Sequence, residues 1–321
     1  MCGQSVNEYV LLISIIGLVV VFAGPQVSQA VHNQFGGVAN TLASGNLGGG
    51  FTVGGGSSGG GAETNTPDKE QTEYLESMKS VTEKDAKDWT LNDQQLAAED
   101  IAKRGTASVA FPKARAAMDA GTKFTMKLTN GQTLEYRIIG INHDDLADGS
   151  GKAGLTFLTT STTISSRMNA TVTNVGGWEK SELRQKMNGG EIWNLMPADF
   201  QSKVKSVRKL TSNVSGTDKS ASVTATMDKL FLLSYSEIVP SSYWASDYPW
   251  TSSEGTQYES FKGKVTNNHS GNDCLKIGSY WLERSVYPGY SMYFIGIYSS
   301  GNPSGNYNAM TSCCVCPAFS F

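Results

Sequence analysis

Apolar positions follow three regimes along the 321-residue chain. Near the start, Val10 to Ala23 is an almost unbroken apolar run, preceded by Glu8 and Tyr9, and no Lys or Arg occurs before Lys69. About 14 such residues are short for a bilayer span and suit the core of a secretory signal. Counted from Tyr9 to Val27, with Pro25 and Gln26 inside, the stretch reaches about 19 and can just cross. Residues 44–66, SGNLGGGFTVGGGSSGGGAETNT, have no period and too few apolar positions for a core. They read as a flexible linker with a root-mean-square reach of roughly 25–30 Å. Beyond them the spacing becomes that of a folded domain.

Residues 67–88 are charged and mixed, with one short apolar face from Tyr74, Leu75 and Met78; they predict a marginal helix or a disordered spacer. A firmer helix begins near Thr90–Gln94, with Asn92 as N-cap, Leu96, Ala97, Ile101 and Ala102 as its buried stripe, and Gly105 as its end. Alternation predicts a strand over Thr122–Leu128, a turn at Asn130-Gly131 and a return strand over Leu134–Ile141. Further strands are predicted at Leu155–Thr160, Val204–Leu210 and Lys229–Leu233, a short helix at Trp178–Met187, and a helical turn from Ser234. After Pro240 the chain is rich in Tyr, Ser, Asn and Gly, with short strands. Helices and strands do not alternate at parallel-sheet spacing, so the class is α+β with an antiparallel sheet. The expected division is a leader at 1–3, an apolar helix at 4–43, the linker at 44–66, the spacer at 67–88 and one domain at 89–321, long enough for a single core.

Net charge is −3, and no basic cluster with interleaved aromatics occurs, so nucleic acid is not an expected partner. Five cysteines are present. Cys2 lies in the leader, and Cys274, Cys313, Cys314 and Cys316 allow three pairings, with the adjacent Cys313 and Cys314 poorly placed to bond each other. Asp144, Asp145 and Asp148 invite a calcium reading. Asp144, Asp148 and Gly149 fall at the first, fifth and sixth places of an EF-type loop, but Leu146 occupies the third, where an oxygen is needed. No cofactor is otherwise implied; Ca2+ is the single ion this loop suggests, and the alternative is a turn whose Asp side chains bond local N–H groups. Gly149-Ser150-Gly151-Lys152 lacks the Gly-x4-Gly-Lys-Ser/Thr of a phosphate loop, and no Ser-His-Asp or Cys-His pair is recognisable. Glu237 and Arg284 each follow a strongly apolar string, KLFLL and YWL. Either they form a buried pair or each reaches water separately.

Gly3-Gln4-Ser5-Val6-Asn7-Glu8-Tyr9 before an apolar run resembles the processing site of Flp/Tad-type (type IVb) pilins. That resemblance implies cleavage after Gly3, a retained helix with Glu8 and Tyr9 as fifth and sixth mature residues, and pairing of Glu8 with the new amino terminus of a neighbouring pilin subunit. The short, uncharged leader departs from the family, and a removable secretory signal cut after Ala30 is the alternative.

The strings HDDLADGSGKAG (143–154), WEKSELR (178–184), DKLFLLSYSEI (228–238), YWLERS (280–285) and VCPAFSF (315–321) carry a second resemblance, to domain-of-unknown-function family 6273. In this reading Trp178, Glu237, Trp281 and Arg284 are structural. The closing segment also resembles, more loosely, C-type-lectin-like domains, among them those diversified by retroelements. By that resemblance Tyr287, Tyr290, Tyr293, Tyr298, Asn302, Asn306, Tyr307 and Asn308 form a binding face, residue types that also dominate antibody paratopes. Together these features imply a precursor in the cytoplasmic membrane and then a pilus- or surface-displayed adhesin, its C-terminal domain outside the cell, binding a surface protein or glycan without catalysis. The alternatives are a surface hydrolase with an unrecognised carboxylate site and a purely structural minor pilin. Mass spectrometry of the mature chain is expected to find Gln4 at the amino terminus; a start at Val31 rejects the pilin reading.

Overall fold

The computed structural model describes residues 69–266 and 268–321. The expected leader with Gly3, the expected apolar helix with Gln4, Glu8 and Tyr9, and the expected Gly/Ser linker lie outside the described residues. The chain divides into two units, Met1–Thr64 and Asn65–Phe321, and the described residues belong to the second. No helix among them is long and apolar enough to cross a membrane.

The stretch expected as a spacer is part of the fold. It forms α1 (Lys69–Ser77) and α2 (Lys79–Thr82). Met78 and Val81 are buried, and the Trp89 indole N–H donates to the Val81 carbonyl at 3.1 Å. Tyr74 donates its hydroxyl to Asp100 at 3.0 Å and lies under the Arg104 guanidinium. So few apolar side chains look like a solvated segment until a neighbouring helix supplies the other wall. That helix, α3 (Leu91–Arg104), is capped by Thr90 rather than Asn92. Thr90 accepts from the Asp93 N–H, and Asp93 accepts from the Thr90 N–H, a reciprocal capping box that places Asn92 in the exposed first turn. The buried face is Ala97, Ala98 and Ile101; Ala102 points to solvent. A helix with no counterpart in the sequence reading, α4 (Phe111–Ala120), follows. Its inner face is Ala114, Ala117 and Met118, too small to register as a hydrophobic stripe.

The remaining elements are β1 (Lys123–Lys127), β2 (Thr133–Ile141), β3 (Leu155–Thr159), β4 (Ser165–Ser166), α5 (Glu182–Asn188), α6 (Glu191–Leu195), α7 (Ala198–Lys203), β5 (Val207–Ser212), β6 (Val223–Asp228), α8 (Tyr235–Ile238), β7 (Trp281–Val286), β8 (Tyr293–Ile297), β9 (Gly305–Asn308), β10 (Cys313–Cys314) and β11 (Ala318–Ser320). They build a four-stranded sheet in the order β1-β2-β3-β11, a five-stranded sheet in the order β4-β10-β7-β8-β9, and the β5-β6 hairpin. Pairing is antiparallel except between β10 and β7. The class is α+β, as the lack of strand–helix alternation implies.

The C-terminal strand closes the first sheet. Phe319 of β11 stacks on Phe157 at 5.2 Å and meets Phe200 edge-on at 4.7 Å, and both Phe319 and Phe321 are buried. Lys229–Leu233, expected as a strand, is instead a buried extended segment held to β11 by one bridge, Phe231 to Ala318. Its remaining backbone groups are drawn toward buried polar side chains, which breaks the ladder.

Gly154 sets the distance between α3 and the start of β3. A β-carbon there would stand 1.8 Å from the Ala98 carbonyl oxygen, a backbone atom that cannot swing aside. Gly154→Ala is therefore expected to cost about 1–3 kcal/mol by overpacking. Urea denaturation measures it, and an unchanged midpoint contradicts the close approach.

Candidate functional site

A buried charge centre lies where β5, β7 and α8 meet. Strand β7 pairs with β8 at Trp281 and Leu282 and again at Val286, with a register shift between. The shift frees Glu283, Arg284 and Ser285 from the ladder, and the Arg284 N–H donates to Leu233 at 2.9 Å instead. All three side chains have no solvent exposure. Arg284 forks onto Glu237, with Nη1 to Oε2 at 2.5 Å and Nη2 to Oε1 at 3.0 Å. Its other N–H groups donate to the carbonyls of Leu210, Leu232 and Glu254. Glu237 also accepts from the Ser234 N–H at 2.9 Å, so the same carboxylate caps α8. The chain wraps it closely. Gly255 has φ +140, and a β-carbon on it would lie 2.6 Å from the Glu237 side chain, so only glycine fits there.

Lys209 extends the centre. Its Nζ lies 2.6 Å from Glu237 and 2.6 Å from Asp144, and 3.0 Å from the Tyr258 hydroxyl. Asp144 accepts from Tyr258 at 2.9 Å and from Thr156 at 2.6 Å. Burial alone would raise the carboxyls of Asp144 and Glu237. Lys209 overcomes it at Asp144 and pulls that group down to about 2; Arg284 and then Lys209 hold Glu237 below the ordinary range. Burial would likewise depress Arg284, and Glu237 reverses it. Both depressed carboxyls contribute stability that is present above their ordinary values and lost as pH falls through their lowered ones, toward about 2 for Asp144. Glu254 behaves oppositely. Burial pushes it up although it accepts from Ser285, Thr211 and the Ser212 N–H. Glu283 goes furthest: burial and then the neighbouring Glu254 raise it well above the ordinary range, and neither of its oxygens has a partner.

A second buried carboxylate, Asp228, ties two of the resembling strings. It accepts from the Trp178 indole at 2.8 Å, from Arg184 Nε at 2.7 Å and from Thr226 at 2.6 Å. Trp281 is buried and donates to the Leu275 carbonyl at 3.0 Å.

The three aspartates of the calcium reading do not converge. Asp144 is consumed by Lys209, Asp145 pairs with Lys152 at 2.8 Å on the surface, and Asp148 accepts from its own turn at Ser150. No group of three metal-ligating side chains occurs among the described residues. Beside the centre lies a cavity of about 250 Å³ that reaches His143 and Lys209. His143 stacks on Tyr258 at 3.9 Å and lies 3.2 Å from Glu259. His143, Asp144 and Lys209 on its lining are each paired with another side chain of the domain. The four described cysteines are unpaired thiols, Cys274 half-buried and Cys313, Cys314 and Cys316 buried. Cys313 and Cys314 are consecutive on β10 and so face opposite sides of its sheet. Burial pushes Cys313 up to about 11 and Cys316 higher still.

The tyrosines and asparagines of the expected binding face do not form one surface. Tyr293 opens β8 and Tyr298 follows its end, roughly 17 Å apart along a strand. Around the far end, Tyr280, Tyr298 and Tyr307 pack together at 5.8–5.9 Å, and the Tyr298 hydroxyl donates to Asn306. Tyr307 is only 8% exposed, and its ring lies across Gly296, where a β-carbon would come within 2.6 Å of it. It is a core residue, since the sheet has two glycines, Gly296 and Gly305, that leave room for the ring. Asn302 is half-buried and accepts from Ser304, Asn308 caps the turn at Met310, and Asn306 is exposed.

The near end is different. Tyr243, Trp244, Tyr287, Tyr290 and Tyr293 form a continuous ribbon of rings, with successive centroids 5.6, 5.2, 5.7 and 5.6 Å apart. Tyr243 is 59% and Tyr290 52% exposed. The loop between β7 and β8 that carries Tyr287 and Tyr290 is pinned from below. Buried Asn174 donates to the carbonyls of Tyr290 and Tyr293, both at 2.7 Å, and the Gly289 N–H donates to Gly216 at 2.8 Å. Sequence reasoning missed Tyr243, Trp244, Asn174, Lys209 and Asp228. Only the first two carried a signal, as aromatics in the Pro240–Trp250 loop.

Residues 153–321, just over half of the chain, match a family described as Domain of unknown function (DUF6273). No curated protein and no solved structure matches the chain.

Glu283 gives a sharp test of the charge centre. A carboxyl raised on folding must take up a proton, so its contribution is complete below its ordinary value of 4.5 and is lost as pH rises above it. The Glu283→Gln variant takes up no proton. Its stability relative to the parent is expected to rise with pH above about 5, by at most about 1.4 kcal/mol per pH unit while Glu283 stays protonated in the fold, read from urea denaturation. Parallel profiles mean that Glu283 is ionised in the fold.

Proposed function

We propose that this chain, which belongs to the DUF6273 family, is a surface recognition protein. Its pilin-like amino-terminal segment and Gly/Ser linker would hold out a lectin-like domain that captures ligands and performs no catalysis. The localisation rests on the sequence of residues 3–42. The binding role rests on one observation, the aromatic ribbon from Tyr243 to Tyr293, exposed at Tyr243 and Tyr290, part of it on the β7–β8 loop pinned by Asn174.

Three physical points support that reading. A cluster of exposed aromatic rings marks an interaction surface, whereas scattered ones do not. Tyr and Trp give large contact area with few rotatable bonds, and a loop already fixed before binding loses little entropy on contact. The ribbon itself contains no charged side chain, so its partner presents uncharged faces and hydroxyl or amide groups, as a neutral glycan does. The trio at Tyr280, Tyr298 and Tyr307 is a weaker candidate, because its central ring is buried.

A glycan and host-protein binding screen of the full chain identifies the ligand. Tyr243→Ser and Tyr290→Ser are each expected to cost about 2 kcal/mol or more of binding while shifting stability by no more than about 0.5 kcal/mol. Tyr307→Ser is expected to do the reverse. Unchanged binding by the Tyr243/Tyr290 double variant moves recognition elsewhere on the domain.

A further inference from the structure

A cavity of about 480 Å³, with no ribbon residue on its lining, opens beside β2 and β3, and its size falls in the range of small-molecule sites. Five charged side chains line it: Lys123, Glu135, Arg137, Asp273 and Lys276. Four of them cancel in pairs, Lys123 with Glu135 at 2.8 Å and Lys276 with Asp273 at 2.6 Å. Arg137, on β2, is left with no carboxylate among the described residues. Its Nη2 donates to the Cys274 carbonyl at 2.9 Å, its Nη1 makes no hydrogen bond, and its Nε is buried without a partner. The Thr160 hydroxyl, also on the lining, is buried and unpartnered too. Burial depresses the guanidinium, as expected of a cation drawn from water with nothing opposite it. Leaving a buried donor unsatisfied is costly, and a planar guanidinium is matched in shape and charge by a carboxylate.

The rest of the lining sets the body of the ligand. Leu158, Phe261, Leu275 and Trp281 are buried apolar residues around the cavity, and the Phe261 ring centroid lies 5.9 Å from the Arg137 guanidinium carbon. The geometry points to a binding site for a small monocarboxylate with an apolar body, its carboxylate on Arg137 and its hydrocarbon against Leu158 and Phe261. A dianion fits less well, since the lining carries one uncompensated positive charge. Phe261 and Trp281 supply bulk that a bare inorganic ion would not touch. This site is independent of the aromatic ribbon and adds a second ligand to the domain.

Fluorine NMR of 4-fluorobenzoate with the full chain tests the assignment. The line is expected to broaden saturably, while neutral 4-fluorobenzyl alcohol does not bind. Arg137→Gln is expected to weaken binding by about tenfold or more, the loss of a charge-assisted hydrogen bond, with an unchanged circular dichroism spectrum. Tyr290→Ser leaves it unaltered, which separates this site from the ribbon. If Arg137→Gln fails to fold, Thr162→Trp at the exposed rim must abolish broadening. Equal binding of the alcohol, full competition by equimolar inorganic phosphate, or retained binding in the folded Arg137→Gln or Thr162→Trp chain overturns the proposal.

Discussion

The fork between Arg284 and Glu237 is the constraint around which the domain is arranged. A guanidinium with no solvent exposure must have every N–H answered, and a single carboxylate cannot do that. The fold answers with carbonyls from three separate segments: Leu210 on β5, Leu232 before α8, and Glu254 beyond it. Leu210 supplies its carbonyl from within the β5–β6 ladder, whereas Leu232 and Glu254 lie outside any strand. The register shift inside β7 leaves Arg284 off the β7–β8 ladder. Removing one partner of such a pair typically costs about 3–5 kcal/mol, because the other remains buried and unpaired.

Charge balance at this centre follows from the same demand. Arg284 and Lys209 are matched by Glu237 and Asp144. Glu254 and Glu283 are surplus, and burial keeps them toward the protonated form. Two positive and two negative charges in a closed set are tolerable at low dielectric; two further carboxylates are not. The acids here thus divide by partner rather than by depth, since all four are buried. The depressed acids are locked to cations, and the raised ones are enclosed by hydrogen-bonding neighbours or by none.

How much of this was legible in the sequence varied with the kind of signal. The β1–β2 hairpin was readable because alternation over 122–128 and 134–141 and the Asn130-Gly131 turn are local. Arg284 and Glu237 were legible as one of two alternatives, a buried pair or two solvated groups, because each follows an apolar string closely. Lys209 and Asp144 were not, since each sits among polar neighbours and looks solvated until β5 is laid beside Asp144. Helix α4 was lost because its inner face is built of alanines. The tyrosines were the hardest. Tyr290 and Tyr307 occur in similar Gly/Ser/Asn surroundings, yet one is open and the other is core. The difference lies across the strand: the Tyr307 ring lies over Gly296, diagonal to its partner Phe294, and no local pattern reports that.

The rigid centre and the exposed ribbon are linked through β7. Arg284 fixes the middle of that strand, and Tyr287 begins the loop two residues after Ser285. Asn174 and Gly216 hold the loop from the other side. A loop clamped at both its base and its crest has few alternative conformations, and the entropy of ordering it has been met in folding rather than at contact with a ligand. Loosening Arg284 would be felt at Tyr287 as lost order before any change in surface chemistry, so the recognition role proposed for the ribbon would depend on an ion pair that no ligand touches.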